Sequence, residues 1–146
     1  MFELARLKGT VTLLKFNKKG EIVEETRLSN LLVNTGLEYA AKLLNGVSTS
    51  PFQYIAIGSG STSPQITDTA LESEVDRTVA STSYESPYKA KFTAIFNFTS
   101  FTTIREAGIF NDSSGGNLLS RVTFAAKSFN AEESLGVSWT IEVRRS

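Results

Sequence analysis

In Leu135-Gly136-Val137-Ser138-Trp139-Thr140-Ile141-Glu142-Val143-Arg144, large apolar residues hold every odd position, and small, hydroxylated or charged residues hold every even one. A period of two over this length fits an extended strand with one face buried, because a helix would spread the same apolar residues around its whole circumference. Tyr88 to Phe98 repeats the pattern almost without fault, with Phe92, Phe96 and Phe98 on alternate positions. Further strands are predicted over Leu7 to Phe16, Glu21 to Leu28, Gln53 to Gly58, Val75 to Ser83, Thr103 to Phe110 and Leu118 to Ala126. Three turn segments separate them: Asn17 to Gly20, Asn111 to Gly116 and Asn130 to Ser134. Lys19-Gly20 and Gly115-Gly116 favour hairpins in the first two.

One helix interrupts the strands. Asn34 or Thr35 can cap it, Leu37, Ala40, Ala41 and Leu44 follow helical spacing, and Asn45-Gly46 can end it. A shorter helical turn is expected at Asp68 or Thr69, where Thr69-Ala70-Leu71-Glu72 has the form of a capping box. The expected fold is therefore mainly β: a single antiparallel β-sandwich, jelly-roll-like, over residues 1–146, with one short helix and a long glycine- and serine-rich loop from Ser59 to Thr69. Residues 1–8 would form either an extended arm or the start of a first strand.

Composition narrows the chemistry. The chain has 146 residues, enough for one domain with a real core, and contains neither cysteine nor histidine. That removes disulfides, thiolate nucleophiles, imidazole bases and the usual zinc ligands. Fifteen basic and fifteen acidic residues leave no net charge, so there is no electrostatic reason to expect nucleic acid or an anionic membrane as a partner. No apolar run reaches bilayer length, and Met1-Phe2-Glu3-Leu4 carries an acid where a secretory signal would carry bases; the chain reads as soluble and made without export. Calcium and magnesium need only oxygen ligands. The adjacent acids Glu24-Glu25 and Glu132-Glu133 would point to opposite faces of an extended segment, and Asp112 lacks the alternating acids of a calcium loop, so it reads as a turn residue.

The stretch Ile57-Gly58-Ser59-Gly60-Ser61-Thr62 has the look of a phosphate loop, since a strand runs into closely spaced glycines. A dinucleotide loop needs a third glycine and an immediate helix, and an ATP loop needs Gly-Lys-Ser/Thr. Here Ser63-Pro64-Gln65 continues the loop instead, so Gly58 and Gly60 read as structural, permitting positive φ and close backbone packing. No cofactor is expected.

Within Arg105-Glu106-Ala107-Gly108-Ile109-Phe110, alternation puts Glu106 and Gly108 on one face, together with Ile104 and Phe110. A carboxylate among apolar neighbours needs a partner, and Arg121 and Arg77 are the candidates. The catalytic alternative, a glycosidase-like acid, lacks an identifiable second carboxylate. Gly108 would let another backbone or an aromatic ring lie close. The ten phenylalanines, four tyrosines and one tryptophan invite a glycan-binding reading, but Phe92, Phe96, Phe98 and Trp139 alternate as core residues do. Phe52, Tyr84 and Tyr88, near Pro51 and Pro87, are the better candidates for exposed partner contacts.

Four segments in order carry a resemblance: NLLVNTGLEYAAKLL from Asn30, YIAIGSGSTSPQITDTALESEVDR from Tyr54, IREAGIFN from Ile104 and GGNLLSRVTF from Gly115. Together they resemble a pattern of tailed-bacteriophage virion proteins, found in the amino-terminal domains of tail-collar fibre proteins and in small free-standing head and tail proteins. The resemblance covers roughly residues 30 to 146. It implies a non-enzymatic structural protein with no catalytic residues to carry over. A chain ending at Arg144-Arg145-Ser146 without a fibre shaft fits a capsid decoration (cement) protein on the head surface, with a small tail, baseplate or fibre component as the alternative and a glycan-binding module third. The implied partners are the chain itself, as a homo-oligomer and expected trimer, and the major capsid protein or other virion proteins.

Overall fold

The computed structural model describes residues 5–145. Ten strands form two five-stranded antiparallel sheets packed face to face. The first sheet has the order β2 (Ile22–Ser29), β1 (Ala5–Phe16), β10 (Ser134–Arg145), β7 (Lys89–Asn97) and β6 (Ser81–Glu85). The second has the order β3 (Leu31–Leu32), β9 (Leu118–Phe129), β8 (Thr102–Phe110), β4 (Tyr54–Gly58) and β5 (Glu74–Val79). Residues 5–8 of the expected arm or strand are strand, running opposite Glu142 to Arg145, while residues 1–4 lie outside the described residues. Among the described residues no helix is long and apolar enough to cross a membrane.

The alternating residues fill the space between the sheets. Val137, Trp139 and Ile141 of β10 meet Val11 and Leu13 of β1, Phe92 and Phe96 of β7, and Ile104, Ala107 and Ile109 of β8 in one buried cluster. Burying each such side chain contributes about 1.5–3 kcal/mol, which is why both faces of the interior are apolar. Phe98 and Phe129 stack with centroids 4.5 Å apart and close one end. Both anticipated hairpins form, β1 with β2 around Gly20 (φ 79°) and β8 with β9 around Gly115 and Gly116 (φ 61° and 73°). The third turn, at Asn130 to Ser134, instead carries the chain from β9 in one sheet to β10 in the other.

Several expectations are corrected. The single strand foreseen from Val75 to Ser83 breaks at Ala80, whose N–H donates to Gln53 O at 2.7 Å, so β5 and β6 enter different sheets. A similar corner lies at Asn30, between β2 and β3. With its amide nitrogen turned to Gly9 O (2.8 Å), its oxygen accepts from Trp139 Nε1 (3.0 Å) and Ser120 Oγ (2.6 Å). One amide thereby ties both sheets to the largest core side chain and satisfies its buried N–H. Lys127, also buried, joins the sheets by donating to Thr26 Oγ1 at 2.7 Å and to Glu24.

Helix α1 (Asn34–Leu44) has no side-chain cap; Val33 occupies the cap position. Asn34 N donates to Ile66 O, and Thr35 Oγ1 donates to Leu118 O at 3.0 Å, so these residues anchor the helix to the second sheet and the long loop. Gly36 permits the contact, since a Cβ there would lie 2.2 Å from Leu119 O. The predicted apolar stripe does not face the core. Leu37 is half exposed and Leu44 almost fully so; the helix packs on the core through Tyr39 and Leu43. The stripe borders a groove of about 690 Å³ whose other walls include Phe52, Ala90, Ile141 and Val143.

Candidate functional site

The site is built around Glu106 on the outer face of the second sheet. Gly58 stands directly opposite it across the β4–β8 pair, and Gly108 stands opposite Arg121 across β8–β9. Strand pairing thus brings Gly58, Glu106, Gly108 and Arg121 onto one patch, and the loop between β4 and β5 folds back over it, carrying Gly60. Glu106 Oε2 accepts from Gly60 N (2.7 Å) and Ser73 N (2.8 Å). Oε1 accepts from Glu72 N (2.9 Å) and Arg121 Nε (3.0 Å). Arg121 Nη2 lies 3.0 Å from the same oxygen as an ion pair, and Nη1 donates to Asp68 Oδ2 at 3.1 Å. Glu106 is 0 % exposed and Arg121 2 %. Two internal charges and three loop amides therefore meet in a place closed to solvent, where charge-assisted hydrogen bonds are strong, with Arg121 Nη2 held to Glu106 by charge and lacking a hydrogen-bond partner.

A second carboxylate holds the loop tip. Glu72 accepts from Ser61 N at 2.8 Å, Thr62 N at 3.2 Å and the Thr62 hydroxyl. The Thr62 hydroxyl and then the Thr62 amide hold the Glu72 carboxyl below its ordinary range. The capping-box reading of Thr69 to Glu72 is therefore corrected. No helix forms there, and Glu72 binds amides ten and eleven residues back. This arrangement also answers the phosphate-loop question, because the amides of Gly60, Ser61 and Thr62 point at the chain's own carboxylates, which occupy the position an anion would take.

The glycines serve by having no side chain. Neither Gly58 nor Gly60 has a positive φ, contrary to expectation. A Cβ on Gly58 would lie 2.4 Å from Ser73 O and 2.6 Å from Glu106 Oε2; on Gly60 it would lie 2.4 Å from Glu72 Cβ. Gly108 is covered by the Leu71 and Leu118 side chains, and a backbone does lie close, since a Cβ there would be 3.2 Å from Ser120 O; no aromatic ring is among these neighbours. Gly58→Ala is expected to cost about 1–3 kcal/mol, read as a lower urea midpoint at constant slope. A change under about 0.5 kcal/mol would show that the loop yields freely.

The remaining expected residues divide. Arg121 is the partner of Glu106, but Arg77 is not. Its guanidinium pairs with Glu74 (2.6 Å), lies 3.8 Å above the Phe110 ring and donates to the carbonyls of Asp112 and Gly115, fastening the β8–β9 turn. Ile104 does not share the Glu106 face, because β8 and β9 fall out of register between Ile104 and Glu106, and Ile104 joins the inner core. Phe52 is 8 % exposed and packs in the core, so it is not a surface contact. Tyr84 and Tyr88 are exposed, as expected. Glu24 and Glu25 diverge, toward Lys127 and Arg27 respectively, whereas Glu132 and Glu133 sit in a turn with Glu132 at φ 72°. Phe92, Phe96, Phe98 and Trp139 are all buried, so they offer no platform to a sugar. Asn30, Asp68, Glu72 and Lys127 were missed as anchoring residues. Only Asp68 and Glu72 carried a signal, their place in a loop opposite a lone strand carboxylate. No family model matches the chain, and no curated protein or solved structure matches it either.

Proposed function

We propose that this protein is a non-enzymatic structural component of a tailed-phage particle, a decoration protein that binds the assembled head shell. The observation that carries the reading is the convergence of the four phage-like segments on one structural unit. Glu106 of the third segment grips the amides of the second, Arg121 of the fourth grips Glu106 and Asp68, and Thr35 of the first binds Leu118 O of the fourth. Residues that serve to hold a loop and helix on a sheet belong to a scaffold. Glu106, the only buried carboxylate among the described residues, has both oxygens occupied by internal donors, leaving no group free for acid catalysis there. A rigid sandwich with exposed Tyr84 and Tyr88 suits adhesion to other virion proteins, where many weak contacts to an assembled lattice add up.

Purified particles are expected to contain the protein at a copy number comparable to the major capsid protein, with labelled antibodies spread over the head. Quantitative mass spectrometry and electron microscopy measure both. A small copy number with label at the tail tip would replace the decoration reading by the tail reading.

A further inference from the structure

The two sheets end in four edge strands, β2 and β6 in one and β3 and β5 in the other. Unpaired edges are templates for another strand, and what each edge accepts depends on the side chains that would face each other. β3 has two residues, and β6 (Ser81–Glu85) carries a single charge. On β5, the pairing with β4 is bulged at Val75, and Glu74 and Arg77 already pair with each other at 2.6 Å, so this edge is neither regular nor short of charge partners.

β2 differs. Glu25 and Arg27 share one face, flank Thr26 and are both exposed; they bond to each other within the chain at 3.3 Å. We propose that β2 pairs antiparallel with β2 of a second copy about a two-fold axis through Thr26, joining two five-stranded sheets into one. In this register Glu25 faces Arg27 of the other copy and Arg27 faces its Glu25, while Thr26 meets Thr26. Shifting the axis to residue 25 would set Glu25 against itself, so the charges select the register. The centred register also pairs the regular stretch of the strand from residue 24 to 28, up to the bulge at Val23. The backbone is oriented for it. Asn30 N donates to Gly9 O on β1, so by alternation the N–H and C=O groups of Glu25, Arg27 and Ser29 point away from β1 to the open side, and the bulge at Val23 ends the regular edge. The contact is isologous and builds a dimer; a trimer needs a different surface, and the two combined would give six copies. This inference does not rest on the virion reading.

The test uses the full chain in sedimentation equilibrium over a concentration series. The wild type is expected to dimerise, and Glu25→Arg or Arg27→Glu to weaken the dimer at least about tenfold, since each reversal makes two like-charge contacts. The double reversal Glu25→Arg with Arg27→Glu is expected to restore it. Melting temperatures of the single variants distinguish lost pairing from lost folding. Because the chain has no cysteine, Thr26→Cys supplies an independent readout. Facing Cα atoms in such a pair lie about 4.5 Å apart, within disulfide reach, so an oxidised covalent dimer is expected, whereas Val23→Cys should not cross-link across the axis. A wild-type monomer at all concentrations, a trimer indifferent to the charge reversals, or equal cross-linking at residues 23 and 26 would each overturn the proposal.

Discussion

Glu106→Ala is expected to cost about 3–5 kcal/mol of folding stability, because it leaves Arg121 buried and three loop amides without their acceptor. That is a large share of the roughly 5–15 kcal/mol that a domain of this kind has in total. Urea unfolding measures the loss. Amide hydrogen exchange is expected to accelerate first at Gly60, Glu72 and Ser73, which donate to Glu106. In a double-mutant cycle with Arg121→Met, the two changes should be strongly non-additive, since each single variant strands a charge and the pair removes both. A cost below about 1 kcal/mol, or exchange unchanged at those amides, would show that the loop holds its place without the carboxylate.

Trp139→Ala should be similarly damaging, at about 3–5 kcal/mol, through the cavity left between the sheets. Trp139 is 0 % exposed, and Val11 stands opposite it on β1 while Phe92 does so on β7. Trp139→Phe separates ring from N–H: it keeps an aromatic body but leaves the Asn30 oxygen short of one donor, and is expected to cost less than the alanine change by at least about 1 kcal/mol. Equal losses for the two variants would place the stabilisation in the hydrogen bond to Asn30 rather than in packing.

These effects trace to two kinds of information in the chain. Alternation in β10 and β7 fixed which side chains face inward, the Gly20 and Gly115-Gly116 turns fixed two hairpins, and Asn45-Gly46 fixed the end of α1. All are local, because a strand's period, a turn's φ and a helix terminus depend on residues within a few positions. The need of Glu106 for a cation was readable too, since a carboxylate on a mostly apolar strand needs a partner, but the sequence left Arg121 and Arg77 both open and the fold chose Arg121.

Tertiary structure alone decided the rest. Alternation assigns a face without saying which sheet receives the strand, so the break at Ala80 left no mark in the pattern. Thr69 to Glu72 satisfies the local rule for a helix start, yet Glu72 accepts from Ser61 and Thr62 because the β4–β5 loop closes on itself. The reason for Gly58 is likewise non-local: its φ is ordinary, and the space a side chain would need is filled by Ser73 O and Glu106. Phe52 and Arg77 were misplaced for the same physical reason. A side chain's burial and its partner are set by what distant strands bring against it, and spacing along the chain does not encode that distance.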